Sequence, residues 1–251
     1  MAGLHPRLLV AALVFSVLGA FAARFPHPPE AWLLSLAATS AMAAPPLVAL
    51  LRFFGPARSF AALVLLSAFA FAVESFGVAT GWPYGRFYYG EALGPRLFGL
   101  VPYLLPASYI PLVVGAVAAT RHPRNRLPWI LRSAALLTLV DGVLDPGAAL
   151  LGFWEWPEGG PYYGVPVSNY LGWLLSGALS STILVLLWPR HSSGPPALLD
   201  GVILSLAFWT GAAASGRLAV PALLGLALLA GLLPQRTGTR GCRRVTFLKK
   251  N

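Results

Sequence analysis

Charged side chains are scarce in this chain: they make up 10% of 251 residues, and only eight residues are acidic. A soluble domain is about 25% charged and about 45–50% apolar. Here 57% of residues are hydrophobic and the mean hydropathy is +0.71, which excludes water as the main solvent. A single cysteine, Cys242, excludes an internal disulfide and a thiolate metal cage. The four histidines, His5, His27, His122 and His191, stand far apart at span ends or in loops, so no histidine metal centre is expected. The formal charge of +10 raises the question of nucleic acid. However, the Lys and Arg residues occupy short connecting loops and a tail rather than one amphipathic face, and no nucleic-acid partner is expected.

What is abundant is long, continuous apolar sequence. In lipid a backbone satisfies its own polar groups only as a helix or a closed barrel, and unbroken rather than alternating hydrophobicity selects helices. The expected fold is therefore all-α, a polytopic transmembrane helix bundle of about eight spans. The first four spans are predicted near Leu8 to Ala23, Ala31 to Leu51, Ala57 to Thr80 and Leu100 to Thr120. The other four are predicted near Pro128 to Leu151, Ser168 to Trp188, Ala197 to Ser215 and Leu218 to Leu233. Pro45 and Pro46 in the second span, and Pro106 and Pro111 in the fourth, predict kinks. Residues 1–235 read as one membrane domain, and residues 236–251 as a basic, disordered cytoplasmic tail able to touch anionic lipid.

With eight spans, thirteen Lys and Arg residues fall on the side of the termini and four, Arg24, Arg86, Arg96 and Arg217, on the other; Arg132 lies just inside the fifth span. That asymmetry predicts a multi-pass protein of the cytoplasmic membrane with both termini in the cytoplasm. It also weighs against reading the first span as a cleaved signal peptide, which its basic start and the Ala20 to Ala23 stretch otherwise resemble.

Two connectors on the far side are dense in aromatics and glycine: Gly81 to Gly90, with Trp82, Tyr84, Tyr88 and Tyr89, and Gly152 to Gly164, with Trp154, Trp156, Tyr162 and Tyr163. An interfacial aromatic belt accounts for composition but not for a repeated order of features. Each connector follows a helix bearing a carboxylate, contains Tyr-Tyr-Gly and leads to Val-Pro: Glu74, Tyr88-Tyr89-Gly90 and Val101-Pro102, then Asp145, Tyr162-Tyr163-Gly164 and Val165-Pro166. The pattern suggests a parallel internal repeat of a helix-loop-helix unit.

The acids carry the strongest chemical signal, because an ionised side chain at the centre of a span costs about 2.5–3.5 kcal/mol. Asp141 and Asp145 are four residues apart and share a helix face, and Glu74 lies toward the same membrane side of its own span. Two carboxyls that close resist simultaneous ionisation, so one is expected to keep a proton, as a general acid requires. The competing structural reading pairs them with Arg86, Arg96 or Arg132, or makes them helix caps. Asp200 reads as structural, with Arg190 as its nearest cation, and Glu155 and Glu158 as water-exposed. Asn169 reads equally as a helix cap or as an amide steadying a carboxyl or a water; Ser168 is the better cap of the two.

These segments together resemble a known family. Glu74-Ser-Phe-Gly77, Thr80-Gly81-Trp-Pro-Tyr-Gly-Arg-Phe-Tyr-Tyr89, Leu93-Gly94, Asp141-Gly-Val-Leu-Asp145-Pro146, Trp154-Glu-Trp156, Tyr162-Tyr-Gly-Val-Pro166 and Asn169-Tyr-Leu-Gly-Trp173 are similar to segments of the membrane-bound carotenoid hydratases. The resemblance runs from about Ser67 to Trp173. It departs where a tryptophan is expected after the first Val-Pro and this chain has Ser108-Tyr109. It implies addition of water to the terminal double bond of an acyclic carotenoid end group, such as that of lycopene or γ-carotene, to give a tertiary alcohol without metal or redox cofactor. It further implies Asp145, Asp141 and Glu74 as the acid-base groups, with Asn169, Trp173 and the loop aromatics against the substrate. Other enzymes of carotenoid biosynthesis are the implied protein partners.

Two rival readings follow from the same residues. Intramembrane carboxylates also serve proton-coupled carriers of lipids or cations. Asp141 to Asp145 superficially resembles the aspartate-rich diphosphate site of a prenyltransferase, but no second aspartate-rich segment follows to complete a magnesium site.

Overall fold

The computed structural model describes residues 6–25, 31–122, 124–189 and 192–236, and these are predominantly helical. Eight α-helices appear among them: α1 Pro6–Ala22, α2 Ala31–Phe54, α3 Pro56–Thr80, α4 Leu105–Ala119, α5 Arg126–Leu150, α6 Val167–Leu187, α7 Asp200–Ser215 and α8 Ala219–Arg236. Six helical segments are long and apolar enough to cross a membrane, one of them α7 together with the short 3₁₀ turn Pro196–Leu199 that leads into it; α1 and α4 are shorter apolar helices. The chain is a transmembrane helix bundle, as its composition requires.

Local chemistry fixes the helix ends. Gly55, at φ 77°, breaks the chain between α2 and α3, and Pro56 opens α3 where no backbone donor is needed. Gly81 closes α3 in the left-handed conformation, its N–H donating to the Gly77 carbonyl at 2.7 Å. Asn125 caps α5 by accepting from the Leu127 N–H at 3.0 Å. The fourth span starts later than predicted, at Leu105 rather than near Leu100, because Val101–Pro102 is paired as a strand. Pro106 therefore falls in the first turn of α4, where it fits without a kink; Pro45, Pro46 and Pro111 lie inside continuous helices.

At the centre is α7, with Val202, Ile203, Leu206, Ala212 and Ala213 buried. It packs on α1, α2, α4, α5 and α8. Its contact with α1 is close because glycines meet backbone: a methyl added at Gly19 would lie 1.9 Å from the Phe208 carbonyl oxygen, and one at Gly211 2.0 Å from that of Ser16. Small residues of this kind are what allow helices to associate in lipid. Gly211→Val is therefore expected to force α1 off α7 and destabilise the bundle by about 1–3 kcal/mol. Thermal unfolding in detergent measures this, and an unchanged midpoint would contradict the packing. The outer surface carries exposed Val10, Leu13, Val17, Phe60, Leu171 and Leu223, a side-chain set suited to lipid.

Asp200 is structural, as expected, but its partner is the last residue of α8: Arg236 donates through Nε and Nη2 to the two carboxylate oxygens, the second bond being 3.2 Å. Arg236, expected at the start of the tail, thus belongs to the bundle. Arg190, the other candidate partner, and residues 237–251 lie outside the described residues, as do His5, His27, His191 and Cys242.

The two aromatic connectors fold over one end of the bundle. β1 (Tyr88–Tyr89) pairs antiparallel with β4 (Trp154–Glu155), Tyr88 opposite Glu155 and Tyr89 opposite Trp154. β2 (Arg96–Leu97) pairs with β3 (Val101–Pro102). Gly90 sits where the connectors touch: its N–H donates to the Phe153 carbonyl at 2.8 Å, and a Cβ there would lie 2.0 Å from the Gly152 carbonyl oxygen. Tyr84, Phe87, Tyr89, Val101, Trp156 and Val165 form the small core of this cap. Trp82, Tyr88, Phe98, Tyr103 and Tyr163 are exposed, as an interfacial belt requires. The repeat is uneven in three dimensions, since a stretch containing β2 separates Gly90 from Val101-Pro102 in the first unit while Gly164 leads straight into Val165-Pro166 in the second.

Candidate active site

Beneath the cap, Glu74 stands six residues before the end of α3 and Asp145 five before the end of α5, each ~7–9 Å into the bundle along its helix. Both line one apolar cavity that opens to the outside of the bundle. Asp141, one helical turn deeper, does not line the cavity; it lies behind Asp145. Glu74 is 7% exposed and the two aspartates 1% each. None of the three meets a cation: among the described residues the ion pairs are Arg96–Glu91 and Arg236–Asp200. Pairing with Arg86, Arg96 or Arg132 is thus not what the structure contains.

Neutral donors surround the acids instead. The Tyr89 hydroxyl donates to Glu74 Oε2 at 2.9 Å, and Trp154 Nε1 donates to Asp145 Oδ1 at 3.1 Å. Because Tyr89 and Trp154 face each other across the β1–β4 pair, one two-stranded ladder delivers a donor to each acid. Asn169 Nδ2 donates to Asp141 Oδ2 at 3.0 Å and makes a short bond to Asp145 Oδ2, so one amide ties the two aspartates together. Asn169 is not a helix cap, for α6 begins at Val167 behind Pro166, and Ser168 makes no capping bond either. Asp141 Oδ1 is buried with no hydrogen-bond partner among the described residues. A carboxyl proton shared within the Asp141–Asp145 pair relieves the repulsion between two acids held this close.

The aromatic residues divide by depth. Tyr84, Tyr89, Trp154, Trp156 and Trp173 line the cavity, together with Asn169. The ring of Tyr84 is clasped between α3 and α6: a methyl at Gly77 would lie 2.8 Å from it, and one at Gly172 2.5 Å. Burial, and next the charge of Glu74, hold the Tyr84 phenol far above its ordinary pKa, and the same causes act on Tyr89. Both therefore stay protonated and able to donate. Tyr88 instead bonds Glu155 at 2.7 Å on the exposed side, and that bond raises its pKa. Tyr162 donates to the Gly142 carbonyl at 3.1 Å, the Tyr163 hydroxyl accepts from the Val220 N–H at 3.3 Å, and Trp82 points outward. These four expected substrate contacts, Trp82, Tyr88, Tyr162 and Tyr163, do not line the cavity.

Phe87 and Phe153 of the cap and Ser205 and Trp209 of α7 are cavity walls that the sequence did not single out, and Tyr109 of α4 is a further wall. Tyr109 stands beside Trp173, ring centroids 5.8 Å apart, in the segment where the family resemblance leads one to expect a tryptophan. Among the described residues no three His, Cys, Asp or Glu side chains gather in an arrangement fit to hold a metal ion.

Fold and site together define a polytopic membrane protein in which uncompensated carboxyl groups head an apolar, aromatic-walled chamber. The chain belongs to the carotenoid biosynthesis protein family, whose pattern it matches over residues 30–232. A bisanhydrobacterioruberin hydratase of Haloarcula japonica is 39% identical to it over 192 residues, a stretch that covers 70% of this chain and 63% of that protein. No solved structure matches the chain.

Proposed function

We propose that this protein is a carotenoid hydratase, a hydro-lyase that adds water to the terminal carbon–carbon double bond of an acyclic carotenoid end group to give a tertiary alcohol. The observation that carries the reading is the convergence of Glu74 and Asp145, from different helices and free of cations, on one apolar cavity. The name of the Haloarcula relative points to the same class of reaction. Lycopene or γ-carotene supplies a suitable end group, and a substrate already dissolved in the bilayer enters from the side.

An isolated alkene is a weak base, so protonating it takes an undissociated acid in a dry site and a means of stabilising the cation. Asp145 lines the cavity and Asp141 does not, which favours Asp145 as donor and Asp141 as the group that shares its proton through the Asn169 clamp. Proton transfer to the less substituted alkene carbon leaves a tertiary cation. The Asp145 carboxylate then faces it, and the rings of Trp154, Trp173 and Tyr109 add cation–π attraction of about 0.5–2 kcal/mol each. Water bonds to the cationic carbon and gives up one proton to Glu74, whose carboxylate Tyr89 orients. Proton exchange from Glu74 to solvent and from solvent to the aspartate pair restores the starting state. One water is consumed and no electron changes hands.

The excess of Lys and Arg at the opposite end of the bundle supports a cytoplasmic-membrane protein with cytoplasmic termini, the acids opening toward the other face. Co-expression in a lycopene-producing bacterium, with pigments analysed by mass spectrometry, tests the activity. The expected product is lycopene plus one or two waters, the hydroxyls on the terminal tertiary carbons. A pigment profile unchanged while the protein is present in the membrane would overturn the proposal.

A further inference from the structure

Behind the apolar wall, between α3, α4 and α6, is a group of buried hydroxyls that the acid-base scheme does not use. Tyr109 is 3% exposed and Ser176 1%, and the oxygen of each lacks a hydrogen-bond partner among the described residues. The Tyr109 hydroxyl neighbours Ser180 and Ser176, that of Tyr84 neighbours Ser176, and both phenols feel the charge of Glu74, with which Tyr84 and Tyr109 line the cavity. Trp173, Ser176 and Ser180 fall on one face of α6 at helical spacing, with Gly172 making room for the Tyr84 ring that reaches along it. Buried hydroxyls normally have partners, and a buried water typically makes about three hydrogen bonds to such groups. These hydroxyls, two of them without a well-formed hydrogen bond, gather in a polar nest in which Tyr84 and Tyr109 line the otherwise greasy chamber together with Glu74, and Ser176 stands behind the two phenols.

We propose that Ser176, Tyr109 and Tyr84 hold the water that is added, poised against Glu74 at the side of the cavity. The inference rests on the hydratase reading and supplies what it lacks, a place for the second substrate. In a mostly apolar chamber, bulk water would quench the acid and the cation alike. A single water held at the Glu74 edge reaches the cationic carbon without flooding the donor. Its oxygen forms the new C–O bond, one of its protons passes to Glu74, and the former alkene carbon keeps the proton taken from Asp145. Tyr109 and Tyr84 thus meet the water from the cavity wall, and Ser176 holds it from behind them.

The test uses the full-length protein in membranes supplied with lycopene in heavy water, comparing wild type with Ser176→Val and Tyr109→Phe. Two products are followed, the tertiary alcohol and deuterium in recovered lycopene, since a cation that is not captured returns a proton and leaves deuterium behind. In each variant alcohol formation is expected to fall roughly tenfold or more, while deuterium in recovered lycopene stays at or above the wild-type level. Full alcohol formation in both variants would overturn the water site. So would a parallel loss of alcohol and deuterium, which marks a structural defect instead. Absence of alcohol from the wild type itself would sink the hydratase reading, a separate outcome.

Discussion

Asp145→Asn is expected to remain in the membrane and to lose tertiary alcohol formation by about 10²–10⁴-fold. The substitution keeps the size of the side chain but removes the proton that the proposed reaction delivers to the alkene. It also lessens repulsion within the Asp141–Asp145 pair, so the bundle is not expected to loosen. Asn169 and Trp154 each donate to a different oxygen of Asp145, and an amide has one acceptor oxygen, so one of these two bonds is lost. That loss is small beside the loss of the acid. Deuterium uptake into recovered lycopene from heavy water should disappear along with the alcohol, because no cation forms. Asp141→Asn should be milder, since Asp141 does not line the cavity. Equal and complete loss in Asp141→Asn with activity kept in Asp145→Asn would exchange their roles.

Glu74→Gln carries the second large effect, with the opposite isotope signature. Without a base for the incoming water, alcohol formation should fall by about 10²–10³-fold, yet protonation by Asp145 is intact and deuterium should still enter recovered lycopene. Tyr89 can keep its bond to the amide oxygen of the substituted side chain, which limits structural damage. The two variants therefore separate the halves of the reaction: one blocks cation formation, the other its capture. Loss of deuterium uptake in Glu74→Gln would instead make Glu74 a donor.

Much of this architecture was legible in the sequence because lipid imposes simple constraints. A span must be long and apolar, so seven of the eight helices begin within a few residues of the expected position. The start of α4 was misplaced because Leu100 to Leu104 is as apolar as a span, and hydropathy cannot tell a short hairpin from a helix end. The acids stood out for the same reason the spans did, since burying a carboxyl in lipid is costly enough to need a cause. Their depth order was not legible: residues four apart share a face, but only the packed bundle places Asp145 at the cavity and Asp141 behind it. Tyr-Tyr motifs suggested equivalent roles, yet Tyr89 bonds Glu74 while Tyr163 is exposed. That difference comes from strand pairing between connectors distant in sequence. Ser176 was invisible for a further reason, whereas Tyr109 stood out only as a departure from the family pattern. Serines in an apolar helix read as small packing residues, and their significance arises only where three helices meet.

The most direct test of acid-catalysed hydration is to incubate the purified protein in lipid with lycopene and water enriched in heavy oxygen, then to analyse the alcohol by mass spectrometry. The account predicts that the product hydroxyl carries the heavy isotope at the enrichment of the solvent, with formation unaffected by removing molecular oxygen. A hydroxyl derived from molecular oxygen, or no alcohol from correctly folded protein, would contradict it.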